Sequence, residues 1–374
     1  MDFFLNYPTN KLRDNSTQKI LSKSNSLKFH KTISNYSFSE LYELNGLSKK
    51  LNLGKIYVKD ESTRFDLKAF KGLGASYAIN EILKDNPSVS VFCTATDGNH
   101  GKAVAWSASI NKKKSVVYVP RYTSKERIDS ISKFGGKVIQ LNLNYDQTCK
   151  YANKQSSLNN WALVQDTSWE GYEKIPALIM AGYLTHFQEM EEKINLIEKA
   201  KVDVIFLQSG VGSWPASCIW YYINRYKKKK PKIVLVEPNE SSGVLNSFRN
   251  RSRVSPNGNF QTIMAGLNCG IPSKNAWEII KNGCDASMSI MDEHSKNAMR
   301  ALFYPIKDDP KIISGESGAA GLGGLLRCIN DIEFSELIHH VGLNSESRVL
   351  LFNTEGDTDK SSFDSIIKNY SFKN

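Results

Sequence analysis

A lysine at the start of a predicted helix is the first side chain whose type and position suit chemistry. Lys71 follows a short strand and a loop, and begins a helix that we predict to run to about Lys84. The helix dipole at this end disfavours the charged form of an amine. We therefore expect the pKa of Lys71 to be lowered and the amine to attack a carbonyl more readily. A solvated surface lysine explains this segment equally well on its own.

A polar turn at the end of a second predicted strand offers groups that bind anions and phenolic oxygens. The turn is Thr96-Asp97-Gly98-Asn99-His100, and a helix follows it. Free backbone N–H groups at a helix start can hold a carboxylate, the Asn99 amide can donate to a phenolic oxygen, and Asp97 can act as a base. In isolation, helix capping by Asp97 and Asn99 is the favoured explanation, and a lone histidine such as His100 is more often structural.

A glycine-rich turn follows a third predicted strand. In Gly210-Val211-Gly212-Ser213 the two glycines let the backbone close around an anion at a helix start, as in a phosphate-binding loop. A dinucleotide loop is not indicated, because Pro215 stands where its third glycine would be. The Lys-Ser/Thr pair of a nucleoside-triphosphate loop is also absent. A tight structural turn remains the alternative for this segment alone.

A fourth predicted strand ends at Asn353-Thr354-Glu355. The neutral hydroxyl of Thr354 can face the nitrogen of a pyridine ring without protonating it. The ring is then a weaker electron acceptor than one that faces a carboxylate. Such a site suits elimination of a good β leaving group better than transamination.

Short apolar, β-branched segments between longer helical ones are the elements that position these side chains. They predict the buried parallel strands of an α/β fold, and ligands in such sheets bind at the carboxyl ends of strands. We therefore expect the four segments to converge on one cleft. The first ~35 residues are rich in Asn, Ser and Lys and are expected to be loosely structured. The predicted strands cover 56–58, 89–96, 115–119, 137–141, 202–207, 232–236 and 348–352.

Length and composition suit a globular protein of two domains. The chain has 374 residues, more than the ~250 to 300 that one core supports. Its net charge of +11 lies in scattered lysine runs without interleaved aromatic residues, so we expect no nucleic-acid binding. With neither a signal peptide nor an apolar run of ~18 residues, the sequence predicts a cytoplasmic protein with no membrane contact. Six widely spaced cysteines indicate no metal site and no disulfide framework, although a Cys269–Cys284 bridge stays open.

Taken together, the four segments resemble fold-type II enzymes that use pyridoxal 5′-phosphate (PLP), and among these the diaminopropionate ammonia-lyases. The ordered set spans residues 36–359 and includes three further stretches at 165–176, 264–270 and 313–319. The resemblance implies a two-domain α/β fold in which each domain is an open, mostly parallel sheet flanked by helices. We assign 1–80 and 200–374 to a large cofactor-binding domain and 81–199 to a small substrate-binding domain.

The resemblance also implies a homodimeric lyase that converts a small amino acid, 2,3-diaminopropionate, to pyruvate and ammonia. Lys71 would carry the cofactor, with Phe70 beside it, and Asn99 would contact its phenolic oxygen. Gly210-Val211-Gly212-Ser213 would hold its phosphate. Thr354 would meet its pyridine nitrogen.

Further roles follow from the substrate that the resemblance implies. Members of the family accept both enantiomers, which implies Lys71 as the base for the L substrate and Asp97 for the D substrate. Asp166 would position the β-ammonium group, since carboxylates stabilise a cationic leaving group whereas serine presents a neutral hydroxyl. The remaining substrate-binding residues would be Thr96, Gly98 and His100.

The chain departs from the family pattern beside the lysine. Asp66 and Lys68 stand where the family usually has Gly and Asn, and Trp214-Pro215 replaces smaller residues. Lys68 could lower the pKa of Lys71 further or repel a cationic substrate, unless it points to solvent or pairs with Asp66. Two other functions stay open: a serine/threonine dehydratase or β-replacement enzyme of the same fold, and a non-catalytic basic binding protein.

Overall fold

Two β-sheets flanked by helices form the framework of the protein in its computed structural model, which describes residues 2–96, 98–194 and 202–368. Asp97 and the predicted domain boundary at 199/200 lie outside the described residues. The strands are β1 Phe3–Leu5, β2 Glu40–Glu43, β3 Lys55–Asp60, β4 Val91–Ala95, β5 Lys114–Val119, β6 Gly136–Gln140, β7 Ala162–Leu163, β8 Val204–Gln208, β9 Lys232–Pro238, β10 Ala286–Ile290 and β11 Arg348–Asn353.

Helices cover both faces of the sheets and connect most of the strands. Short 3₁₀ helices occur at Arg64–Asp66, Lys227–Lys229, Asn239–Ser241, Ala265–Leu267 and Ile332–Phe334. The α-helices are α1 Ser16–Ser22, α2 Ser26–His30, α3 Asn45–Lys50, α4 Lys71–Asp85, α5 Asn99–Ile110, α6 Lys125–Ser132, α7 Tyr145–Leu158, α8 Lys174–Gly182, α9 Leu184–Ile194, α10 Ser213–Tyr226, α11 Gly243–Arg249, α12 Lys274–Gly283, α13 Asp292–Phe303, α14 Ala320–Asn330, α15 Ser335–Val341 and α16 Lys360–Lys368.

Most strand pairs are parallel, as the fold class predicts. The larger sheet has the order β1-β10-β9-β8-β11-β3-β2, and only its edge pairs β1–β10 and β2–β3 are antiparallel. The smaller sheet, β6-β5-β4-β7, is parallel throughout. Its strands lie between residues 91 and 163, whereas the larger sheet takes strands from both sides of that interval. The α/β fold and all seven predicted strands are confirmed.

The expectation of loose structure in the first ~35 residues is wrong. This segment forms β1, α1 and α2, with Leu21 and Leu27 buried. The side chain of Asn15 caps α1 by accepting a hydrogen bond from the Gln18 backbone N–H. His30 is buried and hydrogen-bonds to the Thr185 hydroxyl at 2.6 Å. The segment is mostly polar, but its few apolar residues are spaced so that they pack the short helices α1 and α2 against the core.

The state of the cysteines and the character of the helices complete the description of the fold. All six cysteines are free, so Cys269 and Cys284 form no bridge. In the stretches that the structure describes, no helix combines the length and apolar character needed to cross a membrane.

Candidate active site

One cavity collects the residues that the sequence singles out, at the carboxyl ends of strands from both sheets. The loops after β3, β4, β7, β8 and β11 all reach it. Every predicted site residue lines it except Asp97, which lies outside the described residues. Those that line it are Phe70, Lys71, Thr96, Gly98, Asn99, His100, Asp166, Gly210, Val211, Gly212, Ser213 and Thr354.

Lys71 and Asp166 form an ion pair inside the cavity. Lys71 begins α4, and its Nζ lies 2.7 Å from Asp166 Oδ2. Burial is the largest single effect and lowers the pKa of the Lys71 amine, but the charge and hydrogen bond of Asp166, together with Tyr183 and Cys269, hold that pKa above its ordinary value. The expected lowering of the Lys71 pKa is therefore wrong, because the sequence does not show an acid facing the amine. Burial raises the pKa of Asp166, yet the charges and hydrogen bonds around it, the Lys71 ammonium among them, bring it down to about 2.

His100 directs a hydrogen-bond acceptor, its Nδ1, towards Asp166. Its Nε2 lies 2.8 Å from the carbonyl oxygen of Val164, and its Nδ1 lies 3.8 Å from Asp166 Oδ2. Burial lowers the pKa of His100, so the ring is neutral at neutral pH. The proton therefore sits on Nε2, which donates to the carbonyl. Nδ1 is buried and has no hydrogen-bond partner among the described residues.

The glycine loop has the form of an anion cradle. Gly212 has a φ of +90° and directly precedes α10, which begins at Ser213. A Cβ at Gly210 would lie 2.9 Å from Cys269 Sγ, and one at Gly212 would lie 2.8 Å from Ile280 Cδ1. A side chain at Gly210 would crowd Cys269, and the positive φ of Gly212 strains any other residue there. The loop can therefore point backbone N–H groups and the positive end of the α10 dipole at an anion.

Thr354 and Asn99 line the cavity, and each forms a hydrogen bond with a residue that the sequence analysis did not single out. Gln208 Nε2 donates to Thr354 Oγ1 at 2.9 Å, which leaves the hydroxyl hydrogen of Thr354 able to donate elsewhere. Asn99 Nδ2 donates to the carboxylate of Glu355. Gln208 ends β8, just before the glycine-rich turn, and Glu355 directly follows Thr354. Their places beside these two segments were the only indication in the sequence that they could belong to the site.

The loop before Lys71 has left-handed backbone conformations at two positions where the chain departs from the family pattern, Asp66 and Lys68. Phe65, Asp66 and Lys68 all have φ values between +51° and +59°. Glycine and asparagine adopt this left-handed region most readily, which accounts for their use in the family. Lys68 does not pair with Asp66: its Nζ lies 2.7 Å from Asp357 Oδ1, and half of its side chain is exposed.

A buried charged cluster supports this side of the cavity and was not predicted. The Arg64 guanidinium binds Glu61 and Glu189, each at 2.8 Å, and Lys59 Nζ binds Glu189 at 2.7 Å. The cluster reaches the cavity through a histidine and a tryptophan. His186 Nδ1 lies 3.7 Å from Glu61, and its Nε2 accepts a hydrogen bond from Trp214, which packs on Phe70.

The comparisons with known proteins identify the family. The pattern described as "Pyridoxal-phosphate dependent enzyme" matches residues 34–339. The diaminopropionate ammonia-lyase of Salmonella typhimurium is 37% identical over 367 residues, covering 92% of this chain and 91% of that protein. This chain belongs to the pyridoxal-phosphate dependent enzyme family. It is therefore an enzyme that uses PLP, in contrast to the alternative of a non-catalytic basic binding protein.

Solved structures of this family share the fold. The Escherichia coli diaminopropionate ammonia lyase, in complex with an aminoacrylate-PLP azomethine reaction intermediate, matches with a TM-score of 0.89 at 34% identity, covering 98% of this chain and 96% of that one. The processed threonine deaminase isoform 2 of Solanum lycopersicum matches at 18% identity with a TM-score of 0.77, which concerns the fold alone. Fold-type II architecture is thus confirmed.

The described cavity fits PLP. The family's cofactor needs an amine, an anion cradle for its phosphate and polar partners for its ring. Lys71 supplies a partly buried amine, and the loop Gly210-Val211-Gly212-Ser213 brings backbone N–H groups at the start of α10 to the same cavity. Asn99 and Thr354 supply an amide and a hydroxyl in the same cavity. Within the described residues no group of three His, Cys, Asp or Glu side chains is placed to hold a metal ion.

Proposed function

We propose that this enzyme is a carbon–nitrogen lyase that converts 2,3-diaminopropionate and water to pyruvate and two molecules of ammonia. The observation that carries the proposal is the Asp166 carboxylate, which lies in the cavity 2.7 Å from the Lys71 amine. An acid at this place suits a substrate with a second ammonium group. The relatives named diaminopropionate ammonia-lyase support the same substrate.

The cofactor-binding roles are those that the residue types favour. Lys71 carries PLP, with Phe70 against it, and the segment Gly210-Val211-Gly212-Ser213 holds the phosphate. Asn99 donates to the phenolic oxygen, and Thr354 donates to the ring nitrogen. PLP supplies an acceptor for the electron pair that remains when an α-proton is removed. A hydroxyl at Thr354, unlike a carboxylate, would leave the ring nitrogen unprotonated, which would suit expulsion of a β leaving group.

The substrate's two charged ends meet complementary groups. Its carboxylate binds at the start of α5, where Thr96, Gly98 and His100 line the cavity. Its β-ammonium binds Asp166, whose pKa of about 2 keeps it charged at working pH. The free Nδ1 of His100, 3.8 Å from Asp166 Oδ2, gives this ammonium a second acceptor. Together these two acceptors favour a diamino acid over serine.

Proton removal from the α-carbon is assigned to two bases. We assign the proton of the L enantiomer to Lys71, whose amine lies in the cavity. Asp97 takes the proton of the D enantiomer. Support for Asp97 comes from its place in the Thr96–His100 turn, whose described residues line the cavity.

The experiment that tests the function uses purified holoenzyme with each enantiomer of 2,3-diaminopropionate and with serine. We expect pyruvate and ammonia from diaminopropionate, with slower release of pyruvate from serine. Borohydride reduction followed by peptide mass spectrometry should find the cofactor on Lys71. Faster turnover of serine would favour the dehydratase of the same fold. A cofactor attached to another lysine would contradict the assignment of Lys71.

The domain boundaries, the oligomeric state and the cellular location are also proposals. We infer a large domain of 1–80 and 200–374 and a small domain of 81–199, supported by the confinement of the four-stranded sheet to residues 91–163. We further propose a homodimer in the cytoplasm, where reducing conditions suit six free cysteines. Light scattering on the holoenzyme should give twice the 42.0 kDa of the chain. A mass of 42.0 kDa would contradict the dimer.

A further inference from the structure

Asn99 and Glu355 connect the two sheets at the cavity. Asn99 begins α5, which follows β4 of the four-stranded sheet, and Glu355 follows β11 of the seven-stranded sheet. The Asn99 Nδ2 donates a hydrogen bond to Glu355 Oε2. An amide nitrogen carries two N–H groups, so this bond leaves one for another partner. Asn99 itself lines the cavity, where a ligand can accept the remaining N–H.

The Glu355 side chain is held firmly in place. Its Oε1 accepts the Ser317 backbone N–H at 3.0 Å, and its backbone oxygen accepts the Gly315 N–H at 2.9 Å. A Cβ at Gly315 would lie 3.0 Å from Glu355 Cγ. The chain therefore packs backbone directly against this side chain. A carboxylate that is held through Oε1 and through its own backbone can impose an orientation on the amide that binds its other oxygen.

Two further charged residues surround this carboxylate inside the cavity wall. Lys102 lies one turn after Asn99 on α5 and is 5% exposed. Burial lowers its pKa to about 8, while Glu355 opposes this by favouring the charged amine. Burial, followed by the charge of Glu355, raises the pKa of Glu316 to about 7. The other charged groups acting on these two side chains are Lys68, Asp357 and Arg127.

We propose that Glu355 is a positioning residue for Asn99, and that it directs the second amide N–H of Asn99 at the phenolic oxygen of PLP. An unrestrained amide can turn either its oxygen or its nitrogen towards a ligand. A carboxylate accepts only from the nitrogen, so the bond to Glu355 disfavours the flipped amide, in which Asn99 Oδ1 would face this carboxylate. The inference rests on the proposed role of Asn99 in binding the cofactor.

The test compares four holoenzymes with the wild type: Glu355→Ala, Glu355→Gln, Asn99→Ala and the double variant Glu355→Ala/Asn99→Ala. The readout is the pH titration of the bound cofactor's visible absorbance, together with the dissociation constant for PLP. A hydrogen bond to the charged form of a group lowers its pKa. We therefore expect the apparent pKa of the titration to rise by ~1 unit in Glu355→Ala, and to rise less in Glu355→Gln, which keeps an acceptor oxygen.

The double variant separates positioning from a general effect on the fold. Because Glu355 acts through Asn99, adding Glu355→Ala to Asn99→Ala should produce no further rise. A matched control is Glu237→Gln, another buried carboxyl, which accepts the Val244 and Leu245 backbone N–H groups at 2.8 Å and does not line the cavity. It should change stability and leave the cofactor titration unchanged.

The outcomes that contradict the proposal are distinct from failure of the proposed function. Equal rises from Glu355→Ala in the presence and absence of Asn99 would contradict it. So would a titration unchanged in both Glu355 variants but altered in Asn99→Ala. If Glu355→Ala does not fold, Glu355→Met, which removes the acceptor and keeps the length of the side chain, replaces it, and an unchanged titration there overturns the proposal. A wild-type protein with no cofactor absorbance would instead contradict the proposed function, and this inference with it.

Discussion

Lys71 and Asp166 come from different sheets and meet as a partly buried ion pair, with 2.7 Å between Nζ and Oδ2. Lys71 follows β3 of the seven-stranded sheet, and Asp166 follows β7 of the four-stranded sheet. Burying two charges costs more free energy than their attraction returns in many proteins. A pair at this place in the cavity is therefore better explained by chemistry than by stability.

Replacement of Asp166 by asparagine tests its role in binding the β-ammonium group. We expect kcat/KM for 2,3-diaminopropionate to fall roughly 10²-fold or more in Asp166→Asn, because the leaving group loses its anionic partner. The value for serine, whose β hydroxyl is neutral, should fall much less. Steady-state pyruvate release with both substrates measures this. Equal losses for the two substrates would contradict the role.

Glu316 should make stability depend on pH. Burial, followed by Glu355, raises its pKa from 4.5 to about 7, so the folded protein keeps a proton that the unfolded chain releases. The resulting stabilisation is complete below the unfolded value and is lost as pH rises through about 7. Glu316→Gln, which stays neutral, should lose less free energy of unfolding across this interval. Urea titrations at several pH values test this, and identical pH profiles would contradict it.

The left-handed residues before Lys71 should be a site of stabilising substitution. Asp66 is exposed and has a φ of +59°, which costs a non-glycine residue ~1 kcal/mol or more. Asp66→Gly should therefore raise the free energy of unfolding by ~1 kcal/mol. Asp66→Ala is the control, since it removes the same carboxylate but keeps the strain. Urea unfolding that shows equal effects for both would contradict this explanation.

The charged cluster around Arg64 should contribute strongly to folding only while it is complete. Glu189→Gln leaves Lys59 and Arg64 with less buried negative charge, which typically costs ~3 to 5 kcal/mol. The exposed pair Lys174–Asp85 is the control, and Asp85→Asn should change stability by less than ~1 kcal/mol. Urea unfolding of the holoenzymes compares them. Similar small effects for both variants would contradict the prediction.

The sequence predicted the strands best where apolar, β-branched runs end at turns. It missed β10, Ala286–Ile290, because two serines interrupt the apolar pattern although the whole strand is buried. It also missed β1 and β2, which lie at sheet edges and pair in antiparallel fashion. The two-residue strand β7, Ala162–Leu163, was missed as well. Tertiary packing determines these four strands more than local composition does.

The sequence predicted the types of site residue but not the pairs that they form. Lys71 and Asp166 are 95 positions apart, and Asn99 and Glu355 are 256 apart. No local pattern shows that such residues meet. The pKa of Lys71 was predicted in the wrong direction for this reason, since the helix dipole could be read from the sequence and the facing carboxylate could not.

The most direct test of the central claim is the stoichiometry and preference of product formation by the holoenzyme. We predict two molecules of ammonia for each pyruvate formed from 2,3-diaminopropionate, a higher kcat/KM for this substrate than for serine, and no turnover in Lys71→Ala. Serine turned over with the higher kcat/KM, or pyruvate still formed from diaminopropionate by Lys71→Ala at the wild-type rate, would contradict the account.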